Sequence, residues 1–237
     1  MAPESNEVLS QSVKIINYIK NSVLNTKLLK TLCDEMGSGH QTLLFLSEIR
    51  WLSCGEVLKR LYELRKEDEL FLIDKKSDLS HYLQDKKWVA RLAYLSDIFS
   101  CINKLNLKLQ GPDTTIFNAW NKIESFKKKL KFWLNMIAEE NNEMIQSYSD
   151  YIAEADDFYS QNSVSDIAAH LKMMMLSFEK YYPEHEDSGR QNMWIVNPFV
   201  EYKETAISHE EPFNLLNCHR TKDWKVFLIL WVIRNSG

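Results

Sequence analysis

The chain has 237 residues, 45% of them hydrophobic and 26% charged, with a formal net charge of −4. That length buries a real core in one large domain or two small ones. The acidic balance excludes nucleic-acid binding through bulk positive charge, so any polyanion contact must come from a local basic patch. Glycine (6) and proline (5) are scarce, which disfavours a turn-rich β-sandwich and favours long helices.

The first predicted element is a helix over Glu7 to Val23, because Val8, Val13, Ile16 and Ile19 recur at helical spacing. Asn25 is the expected N-cap of a second helix through Leu28, Leu29 and Leu32, and Gly37 is its expected stop. Gln41 to Phe45 reads as a short strand or a helical turn. Glu56 to Asp74 reads as one helix with Leu58, Leu61, Leu64 and Leu72 on its apolar side. Asp78 to Leu83 reads as a polar break or a short turn.

Two long helices follow. Trp88, Leu92, Leu95, Phe99, Ile102 and Leu109 form one stripe, which Gly111-Pro112-Asp113 ends. Thr114 or Thr115 is the expected cap of the next helix. Its stripe is Ile116, Trp120, Ile123, Phe126, Leu130, Trp133 and Ile137. A short polar connection predicts that the two helices run antiparallel. A last helix starts at Ser163 or Ser165, carries Ile167, Leu171, Met174, Met175 and Phe178, and ends near Tyr182, because Pro183 follows. The expected organisation is a helical region over 1–182 and an irregular or extended region over 183–237. The latter holds a β-like stretch from Trp194 to Tyr202 and an apolar tail from Asp223 compatible with strand or helix.

Cys33, Cys54, Cys101 and Cys218 lie far apart with no CxxC, so a reducing, intracellular compartment is expected. The first residues hold no apolar run, and no secretory signal is expected. The longest apolar run, Val226 to Ile233, is shorter than the roughly 20 residues that span a bilayer, so no membrane contact is expected. Oligomeric state is left open.

No P-loop, GxGxxG, GxSxG or HExxH is present. Cys33 and His40 have no second pair at ligand spacing, so neither a metal site nor a cofactor is expected. Two features bear on nucleic acid. Arg50-Trp51 reads most simply as a core tryptophan beside a surface arginine. As a functional pair, the indole would stack on an unpaired base and the guanidinium would hold its phosphate. Lys127, Lys128, Lys129 and Lys131, helped by Lys122, form the densest basic run. They are expected on the outer face of their helix, as a solvated surface or a nonspecific phosphate strip that Lys86 and Lys87 would extend. Met173, Met174 and Met175 read as packing residues with one facing out.

Several segments carry a resemblance: Lys14-Ile15-Ile16-Asn17-Tyr18-Ile19-Lys20, Leu32-Cys33-Asp34-Glu35-Met36-Gly37-Ser38 and Ile49-Arg50-Trp51-Leu52-Ser53. Leu92 to Phe99, Leu105 to Gly111 and Trp194 to Phe199 continue it in order. Over roughly Val8 to Glu211 the chain resembles the domesticated hAT-type transposase proteins of vertebrates. That group includes zinc finger BED domain proteins, FAM200 proteins and the transposase-like part of the general transcription factor II-I repeat proteins.

The resemblance implies a mainly α fold: the helical insertion of an hAT transposase with partial remnants of its RNase H-like core. It implies that Trp51 stands where the family stacks an aromatic on an unpaired base at a cleaved DNA end. Intact relatives bind metal through three core carboxylates. The first two are expected upstream of this chain's start and the third near the family's C-terminal region, where the match fades, so no catalysis is expected. Leu46, Cys54 and Glu56 replace the His, Arg and Lys usual in relatives. A nuclear location is implied by the resemblance alone. The expectation is therefore a catalytically inactive nucleic-acid-binding remnant. Its rivals are a protein-interaction module without DNA contact, and an enzyme fragment that needs a second chain to supply carboxylates.

Overall fold

The computed structural model describes residues 3–44, 54–110, 116–139, 141, 143–154 and 160–182. These residues form nine helices: α1 (Pro3–Lys20), α2 (Val23–Met36), α3 (Cys54–Glu63), α4 (Arg65–Asp74), α5 (Ser80–Gln84), α6 (Lys86–Leu109), α7 (Ile116–Ala138), α8 (Gln146–Glu154) and α9 (Ser160–Tyr181). No strand occurs among the described residues, so the expected RNase H-like remnants contribute no sheet there. The predicted stops and caps over 111–115 and everything expected after Pro183 lie outside the described residues.

The core is organised around α6. Asp85 caps this helix by accepting a hydrogen bond from Lys87 N at 2.9 Å. Of its 24 residues, 14 are buried, so it is enclosed on nearly all sides rather than on a single stripe. Helices α1, α3, α5, α7, α8 and α9 all pack on it. Polar links pin several of them. Trp88 Nε1 donates to Gln11 Oε1 of α1 at 2.7 Å, and Arg91 pairs with Asp166 of α9 at 2.7 Å. Tyr94 Oη and His170 Nδ1, also on α9, share a buried hydrogen bond of 2.7 Å.

Helix α3 approaches α6 closely at Gly55. A Cβ on Gly55 would lie 2.7 Å from the Ser100 backbone nitrogen and 2.8 Å from the Phe99 carbonyl carbon. Only glycine lets the two backbones come this near.

The expected stripe of α6 is buried throughout, as are Ile123, Phe126, Leu130, Trp133 and Ile137 of α7 and Ile167, Leu171, Met174 and Phe178 of α9, while Trp120 and Met175 are half-buried. Helices α6 and α7 run antiparallel, as predicted: Lys122 of α7 reaches Lys108 of α6, and Lys129 reaches Cys101. Helix α9 starts at Ser160, ahead of both predicted caps, and packs along α7 with Phe126 against Phe178. Of the three methionines, Met174 is buried and the other two are half-buried.

Other boundaries also differ from the sequence reading: α1 runs from Pro3 to Lys20 rather than from Glu7 to Val23, which instead opens α2. The N-cap of α2 is Ser22, whose hydroxyl accepts from Asn25 N at 3.2 Å. Asn25 lies inside the helix instead and donates its side-chain amide to the Tyr18 carbonyl, closing the end of α1. The single helix expected over Glu56 to Asp74 is two helices. Leu64 (φ −94°, ψ 14°) bends the chain between α3 and α4, so that Leu64, Phe71 and Leu72 are all buried. The polar break at Asp78 to Leu83 contains the short helix α5, which seats Leu83 in the core. The Gly37 stop stands as predicted. Its φ of 69° is left-handed, and Ser38 N and Gly37 N bond the Cys33 and Asp34 carbonyls at 3.0 and 3.3 Å.

Candidate nucleic-acid interface

Lysines recur at one-turn spacing on α6 (Lys104, Lys108) and at two-turn spacing on α7 (Lys122, Lys129). The antiparallel packing of these helices brings all four to one cleft of about 350 Å³. Leu105 and Phe126 are among its apolar lining, and no carboxylate lines it. The aliphatic stems can lie along this apolar surface while the ammonium groups reach solvent.

Two of these lysines, Lys122 and Lys129, reach across to α6. Lys122 Nζ donates to the Lys108 carbonyl at 2.6 Å, in the last turn of α6, where the helix dipole favours a cation. Lys129 Nζ lies 3.6 Å from Cys101 Sγ and 4.7 Å from the Trp133 ring centroid. Such a cleft concentrates positive potential on a protein whose formal charge is −4.

The structure separates the expected basic run. Lys128, Lys129 and Lys131 are exposed, but of these only Lys129 lines the cleft. Lys127 corrects the outer-face expectation, because it is buried with 4% exposure. Its ammonium group donates to Glu124 Oε1 at 2.8 Å and to the Tyr182 carbonyl at 2.9 Å. It fastens α7 to the end of α9. Arg50 and Trp51 lie outside the described residues.

The sequence alone does not mark Lys104 and Lys108 as site residues. Their signal is the one-turn spacing on the polar side of a strongly apolar helix, which gains meaning only once α7 lies alongside.

A second polar cluster lies between α2 and α4. Asp68 is fully buried, and neither of its carboxyl oxygens has a hydrogen-bond partner among the described residues. Burial first, and the charge of Glu67 second, hold its carboxyl well above the usual range. Glu67 accepts a hydrogen bond from the Ser38 hydroxyl. Burial, with help from Asp68 and Glu67, pushes the Cys33 thiol up to about 11. Among the described residues, no three His, Cys, Asp or Glu side chains are grouped so as to hold a metal ion. His40 instead pairs with Glu63 at 3.1 Å. Among the described residues, no helix is long and apolar enough to cross a membrane.

The FAM200/GTF2IRD2 helical domain matches residues 3–138 of the chain, from α1 through α7 and including all four cleft lysines. The general transcription factor II-I repeat domain-containing protein 2 of Bos taurus is 33% identical over 134 residues, which is 56% of this chain and 14% of that relative. The chain thus spans a small part of that protein's length. No solved structure matches. With the family's helical domain covering more than half of the sequence, the chain belongs to the FAM200/GTF2IRD2-like family.

Proposed function

We propose that this chain is a catalytically inactive, transposase-derived helical domain of hAT lineage that binds nucleic acid in the nucleus. The observation that carries the reading is the four-lysine cleft between α6 and α7, a cationic surface with no carboxylate in its lining on an acidic protein. Family membership supports the transposase-derived origin. Lysine clusters bind phosphates by releasing condensed counterions, which makes affinity fall with salt. In this reading Arg50 and Trp51 add base stacking at a DNA end.

The test is a titration of the full chain against a labelled DNA hairpin with unpaired flanking bases, at two salt concentrations, with Trp51→Ala alongside. Micromolar or tighter binding that falls steeply with salt supports the reading. A further loss of about 1–3 kcal/mol in the variant assigns stacking to Trp51. A folded chain that binds no DNA at low salt is a protein-interaction module instead. Metal-dependent nicking by the chain alone would defeat the non-catalytic assignment.

A further inference from the structure

The corner between α1 and α2 carries a surface that the nucleic-acid reading does not use and that stands independently of it. Leu29 and Cys33 are buried and fix the inner side of α2. On the outer side, helical spacing puts Val23 and Lys27 in one row and Leu24 and Leu28 in the row beside it. Val23 and Leu24 are 73% and 64% exposed, more than any other large apolar side chain among the described residues. Tyr18 of α1 is also exposed and adjoins them, since its carbonyl accepts from the Asn25 side chain at 3.1 Å. Single exposed apolar side chains are ordinary, whereas a contiguous group with a polar rim marks an interaction site.

The rim here has one sign. Between Glu7 and Asp34 the chain holds Lys14, Lys20, Lys27 and Lys30 and no carboxylate. Among the described residues, no ion pair engages any of these four lysines. The stability of α2 does not account for this charge. The helix has no carboxylate in its first turn and no basic residue in its last, where Asp34 and Glu35 stand instead. That order is the reverse of what the helix dipole stabilises. A partner of opposite charge does account for it.

The arrangement of the charges selects the partner class. Lys27 lies among the apolar residues, one turn from Val23 and next to Leu28 in sequence. A helix that rests on a lipid surface puts its lysines opposite its apolar side instead. Phosphates would meet the lysines but leave Val23 and Leu24 in water. A segment with apolar anchors set between aspartates and glutamates meets both kinds of group.

We propose that the α1–α2 corner is a docking surface for an acidic amphipathic segment of another protein. Tyr18, Val23, Leu24 and Leu28 are its apolar contacts, and Lys27 and Lys30 are its charge partners. Apolar burial supplies the affinity, while the lysines orient the segment and speed its arrival. Binding therefore weakens with salt but is not abolished by it.

The experiment selects binders of the full chain from a displayed library of random peptides. The most enriched peptide is then synthesised, labelled and titrated over a salt series. The proposal expects enrichment of peptides that combine Asp or Glu with Leu, Ile, Phe or Trp. It expects Val23→Gln/Leu24→Gln to weaken the titrated peptide about tenfold or more, the scale of one buried apolar side chain. Lys27→Gln/Lys30→Gln should weaken it about threefold or more and flatten its salt dependence. Leu176→Gln, an exposed site on α9, should match the wild type. Far-UV circular dichroism checks that each variant is folded.

Enrichment of basic or uncharged peptides, or of none, overturns the proposal. So does peptide binding that survives Val23→Gln/Leu24→Gln. Binding to phosphatidylserine vesicles that this variant loses, with no acidic peptide selected, reassigns the patch to a membrane and overturns it. A wild-type dimer in sedimentation that the variant dissociates reassigns the patch to a second copy of the chain and likewise overturns it. DNA affinity is expected to be equal in the wild type and Val23→Gln/Leu24→Gln, so failure here leaves the nucleic-acid reading standing. A fall in DNA affinity would instead make the corner part of the nucleic-acid site and overturn the docking assignment.

Discussion

The carboxylate of Asp97, in the middle of α6, caps α8 through Ser147. It accepts from Ser147 N at 2.8 Å, from Ser147 Oγ at 2.7 Å and from Tyr148 N at 3.2 Å. A residue 50 positions away in sequence therefore supplies the anion that the helix N-terminus attracts. Burial raises the Asp97 pKa, and the Ser147 and Tyr148 hydrogen bonds oppose that rise. Tyr62 Oη holds the same turn by donating to the Ser147 carbonyl at 3.0 Å.

Asp97→Ala is therefore expected to destabilise the chain by about 1–3 kcal/mol, because it removes charge-assisted bonds and leaves part-buried donors without this acceptor. Hydrogen exchange should quicken first in α8, and urea unfolding measures the total. Unchanged exchange in α8 would show that the cap does not hold that helix.

Gly55 offers a test in which two effects predict opposite signs. Replacing a helical glycine with alanine ordinarily gains up to about 1 kcal/mol. Here the new methyl would meet backbone atoms of α6 at 2.7 to 2.9 Å. Backbone of a central helix cannot swing aside as a side chain can. Gly55→Ala should therefore lose about 1–3 kcal/mol, read as a lower thermal midpoint. A higher midpoint would refute the close approach of α3 and α6.

Lys127 is predicted to act on stability and not on ligand affinity. Lys127→Met keeps much of the stem but removes both hydrogen bonds of the ammonium group, leaving the Tyr182 carbonyl and Glu124 without this donor. A loss of about 1–3 kcal/mol is expected, with faster exchange at the end of α9. The salt slope of nucleic-acid binding should stay at its wild-type value. A reduced slope would put Lys127 among the phosphate contacts.

Two buried titrating groups give opposite pH dependences. Burial lowers His170 from 6.5 to about 4. Between those values the unfolded chain binds a proton that the folded chain refuses, so stability falls as pH drops from about 6.5 towards 4. The loss is on the order of 3 kcal/mol, and His170→Gln should flatten it in chemical denaturation curves.

Asp68 works the other way. Its carboxyl is raised well above 3.8, so the folded state favours the protonated form. Its contribution is fully present below about 3.8 and is lost as pH rises through the folded value. Asp68→Asn is expected to raise the melting temperature at pH 8 and to leave it unchanged near pH 3.5. A lower melting temperature at pH 8 would mean that the ionised carboxylate has a stabilising partner.

The long helices were legible because their stripes are strong and local. Trp88 to Leu109 and Ile123 to Ile137 declare their buried faces by spacing alone, and Gly37 marks its helix end through a backbone conformation that glycine adopts without strain. Helix α8 is not legible in the sequence because it is short and polar and its cap, Asp97, lies on a different helix. The bend at Leu64 is not legible because a continuous apolar period carries across it.

The burial of Lys127 was illegible for a related reason. A lysine beside an apolar stripe looks solvated until a second helix places a carbonyl within its reach. Periodicity and turn chemistry, which act over a few residues, determined that this protein is helical, where most of its helices lie and which faces they bury. Tertiary structure alone decided which lysines share a cleft, which one is a buried tether and which carboxylate caps a distant helix. Each of those depends on what the packing of α6 sets opposite a side chain, and residues far apart in sequence carry no local signal of that contact.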